Sequence, residues 1–157
     1  MGLEHNFLYM SSEKYYDEVW KKIEYNPLRI ENNIISEFDY VSIHDDVLRY
    51  FNDYFTWIRF YNPCKKENIY GLCHYGVTTI YKDALFQVKN LIDGLLIIFS
   101  IAPNMIELHG NYIINNNTGC YEKIYIKKQE IICVFHKLNK LIEKAINEDG
   151  YIIHFGI

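Results

Sequence analysis

The sequence predicts an α+β fold: two N-terminal helices, then a split βαββαβ (ferredoxin-like) sheet with helices packed on it. Three observations predict it. The stretch Asp83 to Ala102, DALFQVKNLIDGLLIIFSIA, places Leu85, Val88, Ile92, Leu95 and Phe99 three and four residues apart, the spacing of one helix face. Two alternating segments, Met105 to Ile114 and Cys120 to Lys127, flank the turn Asn115-Asn116-Asn117-Thr118-Gly119 and read as a hairpin. An amphipathic stretch from Lys128, ended by Asp149-Gly150, precedes the apolar YIIHFGI. With Gly76 to Tyr81 (GVTTIY) as a further strand, the order is strand, helix, strand, strand, helix, strand.

In chain order, Phe7 to Met10 suits an edge strand or an arm. Ser12 can cap a helix whose apolar face is Tyr16, Val19, Trp20 and Ile23 and which Pro27 stops. Residues 28 to 41 show no settled period and read as a loop with one short strand. A second helix is expected from Ser42 to about Phe60. Asp45 and Asp46 stand at its positive end, and Val47, Leu48, Phe51, Tyr54, Phe55 and Ile58 form its core stripe. Residues 61 to 75, with Pro63, Gly71 and Lys65-Lys66, read as loop and as the seam of the chain.

The central helix has one weak point. Asp93-Gly94 also turns hairpins, leaving a helix, turn and strand (Leu95 to Ile101) as the rival reading. The continuous helix is preferred because the apolar spacing runs through Gly94; Leu91, Leu96 and Ile98 widen its stripe, and Pro103 ends it. In the hairpin, Ile106, Leu108, Tyr112 and Ile114 are expected on the core face with Ile124 and Ile126. The last helix buries Ile131, Phe135, Leu138, Leu141, Ile142 and Ala145. The open sheet face would show Glu107, His109, Lys123, Tyr125, Lys127 and His154.

The 157 residues fit one domain over 1–157, with a helical part at 1–60 and a βαββαβ part at 76–157. Half the residues are apolar and 15 are Tyr, a composition that permits a partner interface. The net charge of −4 disfavours general nucleic-acid binding, which needs cations for phosphates. That acidity is N-terminal: residues 1 to 60 hold 11 Asp/Glu against 6 Lys/Arg. Four cysteines without paired spacing, no secretory signal and no apolar run near the ~20 residues of a membrane span point to a cytoplasmic protein.

Catalytic and metal signatures are weak. Cys133 and His136 lie three apart and Cys73 and His74 are adjacent, but no close ligand pairs converge as zinc requires, and Cys133 reads as a small core residue. Nothing marks Cys73 or Cys120 as an activated thiol for His109 or His154. Glu107 and His109 would point the same way from one strand, with His154 joining from a neighbour, in a hydrogen-bonded cluster or in a small ferredoxin-like enzyme or ligand- or RNA-binding face. The phosphate-loop ending and the aromatic core of an RNA-recognition motif are both missing. No cofactor, metal or catalytic residue is assigned.

A binding role remains. The acidic N-terminal third, YGVTTIY at Tyr75 to Tyr81, IELHGNY at Ile106 to Tyr112 and the ending IIHFGI give the chain a character that resembles the immunity proteins of bacterial polymorphic-toxin and contact-dependent growth inhibition systems. The resemblance implies stoichiometric neutralisation of a cognate toxin domain, often a basic nuclease; the charge balance and the short apolar runs add the expectation of no direct nucleic-acid or membrane partner. The resemblance carries over no binding residue. The acidic positions away from the apolar stripes are the candidates: Asp17, Glu18, Glu37, Asp39, Asp45, Asp46 and Asp53, with Asp45, Asp46 and neighbouring aromatics expected to form part of the surface.

Overall fold

The computed structural model describes residues 3–12, 39–115 and 118–157. Among these residues the elements are, in chain order, β1 (Glu4–Met10), β2 (Tyr40–His44), two short helices, α1 (Asp45–Arg49) and α2 (Asn52–Phe55), and the strands β3 (Arg59–Asn62), β4 (Glu67–Tyr70) and β5 (Val77–Ile80). Helix α3 (Asp83–Ser100), strands β6 (Met105–Asn115) and β7 (Thr118–Lys127), helix α4 (Lys128–Asn147) and strand β8 (Tyr151–Phe155) complete the chain. The class is α+β.

Among the described residues, six strands form one sheet in the order β2-β1-β8-β5-β3-β4, with every neighbouring pair antiparallel, and β6 pairs with β7 in a separate sheet. A ferredoxin-like sheet would hold β5, β6, β7 and β8 together, so that expectation is corrected. A strand has two edges, and both edges of the β5–β8 pair are already taken, by β3 and β1. The interior position of β8 agrees with its apolar sequence: Ile152, Ile153, His154 and Phe155 are all buried. β1 is likewise interior rather than an edge.

The expected second helix is also corrected. Tyr40 to His44 alternates with Val41 and Ile43 buried, and antiparallel pairing with β1 holds it as a strand. Its helical remainder breaks at Phe51, which sits at φ −117°, ψ 0° between α1 and α2. The apolar spacing nevertheless marked the right side chains, since Val47, Leu48, Phe51, Phe55 and Ile58 are buried; Tyr54 is exposed. The expected first helix, from Ser12 to Pro27, falls almost wholly outside the described residues. The end of the expected second helix, Arg59 and Phe60, and the first part of the 61 to 75 stretch read as loop and seam form the β3–β4 hairpin, and β3 joins the sheet through Tyr61 and Thr79.

The central helix is continuous through Gly94, and Leu85, Val88, Ile92, Leu95 and Phe99 are buried. Its cover is one-sided, because Ile97 and Ile98 are exposed. All six expected core residues of α4 are buried, and Cys133 is exposed, contrary to expectation. Asp149 adopts φ 48° and the Gly150 N–H bonds the Ala145 carbonyl, closing the helix as its sequence predicts. Phe51, Phe99 and Phe135 meet edge to face or tilted with centroids 5.5 to 5.9 Å apart, locking the α1–α2 link onto α3 and α4.

The hairpin is where the sequence expected it, but a bulge resets its alternation. His109 pairs with Lys123 and Tyr112 with Tyr121, so Gly110 and Asn111 together oppose Glu122. Beyond the bulge Tyr112 lies on the outer face against Tyr121, and it and Ile114 are exposed, although the alternation had assigned both to the core. No helix among the described residues is long and apolar enough to cross a membrane.

Candidate functional site

Two sites are built around the segment 44–57, one inside the fold and one on its surface. The inner site starts from the register of β1 on β8, where Phe7 is opposite His154. Side chains two apart on a strand share a face, so His5 lies diagonally beside His154. The rings stack at 5.1 Å and His5 Nδ1 is 2.9 Å from His154 Nε2. The other nitrogen of His5, Nε2, is 3.0 Å from Asp45 Oδ1.

Asp45 reaches this place because its N–H bonds the Leu3 carbonyl, continuing the β1–β2 ladder into the first turn of α1. Its second oxygen is 3.9 Å from Arg49. His74 comes from the loop before β5, with Nε2 3.6 Å from Asp45 Oδ1. That loop is tied to the C-terminal end of the chain by Ile157 N–H to the His74 carbonyl and by Gly156 N–H to the Gly76 carbonyl.

Burial sets the charge of this cluster. Desolvation pushes His154 well below the ordinary histidine range, and the neighbouring imidazoles of His5 and His74 add to the fall. Burial also lowers His5, against the opposing pull of its hydrogen bond to Asp45. Both shifts favour the neutral rings, and among the described residues the Nδ1 of His154 has no hydrogen-bond partner. Sequence reasoning missed this cluster because its members lie 40 and 149 residues apart. The only local signal was a histidine inside each of two strands.

The outer site lies around α1. His44 caps this helix by accepting the Asp46 N–H on Nδ1. Asp46 and Glu130 line, with Ile43, Val47, Ile126 and Ile131, an apolar cleft of 340 Å³. Asp46 also lines an adjoining groove of 180 Å³ whose other walls include Arg49, Tyr50, His109 and Gly110. Along the same segment Asp53 is exposed, and Trp57, 73% exposed, packs edge to face on Tyr54 at 5.2 Å.

The acidic residues singled out from the sequence thus separate. On the α1–α2 segment Asp53 is exposed, and Asp46 is half-buried with Oδ2 3.3 Å from His44 Nδ1. Asp45 is 7% exposed and turned into the histidine cluster, which corrects its assignment to the surface. Asp39 stands at the far end of β2, about 20 Å of strand away, where Lys144 pairs with it at 2.6 Å. Asp17, Glu18 and Glu37 lie outside the described residues.

Glu107 and His109 are not joined by His154. The first two are on the exposed face of the hairpin, where Glu107 accepts from Lys123 at 2.9 Å and from Tyr125 at 2.8 Å, bonds that hold its carboxyl below the usual range. His154 is buried in the other sheet. Among the described residues Cys133 and His136 are both exposed on α4 and belong to no ligand cluster. No protein-family model, no curated protein and no solved structure matches this chain.

Proposed function

We propose that this chain is a stoichiometric binding protein of the immunity type, which neutralises a cognate bacterial toxin domain, a basic nuclease, through the surface of α1 and α2. The observation that carries the reading is the apolar cleft with Asp46 and Glu130 among its lining residues, together with Tyr50, Asp53, Tyr54 and Trp57 exposed along the same 44–57 segment. A lysine or arginine entering such a cleft lays its apolar stem on Ile43, Val47 and Ile126 and its charge on the carboxylates. Exposed aromatics on the same segment supply hot-spot area, and the acids speed capture of a cationic partner.

Co-expression with the toxin domain encoded next to this gene tests the reading. A 1:1 complex on gel filtration, with cells surviving only when both proteins are made, is the expected result. Trp57→Ala should weaken that complex by about 2 kcal/mol, roughly 30-fold. Asp46→Lys with Glu130→Lys should slow association and flatten its salt dependence. Absence of a complex, or a complex indifferent to all three changes, would remove this surface from the function.

A further inference from the structure

The ligating atoms of His5, Asp45 and His74 all lie within 4.8 Å of one another, though the residues come from β1, from the first turn of α1 and from the loop before β5. Ligands held about 2.0 to 2.2 Å from a tetrahedral ion stand about 3.3 to 3.6 Å apart. Of the spacings to Asp45 Oδ1, that of His74 Nε2, 3.6 Å, matches this value and that of His5 Nε2, 3.0 Å, is a few tenths of an ångström shorter. The geometry points to a binding site for zinc(II), or a chemically similar divalent first-row cation, formed by His5 Nε2, His74 Nε2 and Asp45 Oδ1.

The donor set chooses the class of ion. Two imidazole nitrogens and one carboxylate suit zinc and its transition-metal neighbours, whereas calcium and magnesium demand oxygen donors. Three protein ligands leave a fourth position for water. The site also has the outer support such ligands require: His5 presents Nε2 inward because His154 Nε2 holds its Nδ1 at 2.9 Å, and His154 is itself 0% exposed. A bound cation would add a direct link from the 73–76 loop, whose His74 stands 3.6 Å from Asp45, to the β1–α1 junction that the β1–β2 ladder and the Asp45 N–H to Leu3 carbonyl bond already hold.

Coordination also predicts a change at a residue that is not a ligand. Without a cation, His5 Nε2–H donates to Asp45 and His154 Nε2–H donates to His5 Nδ1. With a cation on Nε2, the His5 proton sits on Nδ1 and donates to His154 Nε2, whose own proton moves to Nδ1. Both rings change tautomer and neither changes charge.

Cobalt(II) and zinc(II) titrations of the chelator-treated full chain test the proposal. Visible absorption of low-coordinate cobalt at 1:1 stoichiometry, displaced by zinc, is expected, together with a zinc-dependent rise in melting temperature. The ¹⁵N shifts of His154 should exchange between the two tautomer patterns on zinc addition. His74 is 31% exposed, so His74→Ala should fold, and it should bind cobalt at least tenfold more weakly. If cobalt gives no such spectrum, if zinc leaves the melting temperature unmoved, or if His74→Ala binds as tightly as the parent, the site is a hydrogen-bonded cluster only.

Discussion

The backbone carbonyl of His74 lies directly against Gly156: a Cβ added at 156 would meet that oxygen at 2.0 Å and the Cys73 carbonyl oxygen at 2.6 Å. Only a residue without a side chain lets the 73–76 loop cross the end of β8 this closely, and that crossing delivers His74 to Asp45. Gly156→Ala should therefore displace the loop, disrupt the bonds from Gly156 and Ile157 and cost about 1 to 3 kcal/mol of stability. Urea unfolding measures the cost, and hydrogen exchange at Ile157 should show the loss locally. An unchanged midpoint would mean that the loop is free to move.

Removing the carboxylate of the buried pair should be worse than weakening it. Asp45→Ala leaves His5 Nε2 without its acceptor and should destabilise by about 2 to 3 kcal/mol, measured with chelator present so that no cation contributes. Asp45→Asn keeps an acceptor oxygen and should lose less than half as much.

Gly94 is the cheapest site for improvement. It lies inside α3 with no heavy atom within 4 Å of an added Cβ. Gly94→Ala should stabilise by about 0.5 to 1 kcal/mol through helix propensity and lost unfolded-state entropy, raising the melting temperature by roughly 1 to 4 °C. A fall in melting temperature would show that α3 bends or packs at that point.

At high pH the contact between Tyr9 and Glu148 should fail first. Burial, aided by the hydrogen bond to Glu148, pushes the Tyr9 phenol up to about 12 from 10.0. The folded protein keeps this proton where the unfolded chain loses it, so the contribution is complete below pH 10 and disappears as pH rises towards 12. Thermal melts across that range should converge for parent and Tyr9→Phe. A constant gap between them would contradict the shift.

Phe51 carries the junction of α1, α3 and α4, with Phe99 and Phe135 each at 5.5 Å. Phe51→Ala should cost about 3 to 5 kcal/mol and Phe51→Leu considerably less, since Leu refills most of the volume. Equal losses in chemical denaturation would show that edge-to-face ring geometry, not volume, dominates there.

Sequence reasoning succeeded where a pattern was long and self-contained. The faces of α3 and α4 followed from apolar spacing alone, because 18 and 20 residues give several turns of agreement. The β6–β7 hairpin followed from alternation around an Asn-rich turn. Shorter stretches failed for a physical reason: Tyr40 to His44 has five residues, and its conformation was decided by an available strand edge at β1, which no local pattern encodes. The bulge at Gly110 and Asn111 misled in the same way, since one extra residue reverses the face of everything after it.

The candidate sites divide along this line. Asp46 and Asp53 could be read as surface acids from composition and position. That Asp45, one residue earlier, turns inward depends on the Leu3 carbonyl that fixes its backbone. By itself the sequence determined the class α+β, two long amphipathic helices, a hairpin and a buried final strand, because each of these is stabilised by contacts whose period is written locally. Only the tertiary structure decided which strands share a sheet and that His5, Asp45, His74 and His154 meet, because both depend on edges and side chains brought together from residues far apart in the chain.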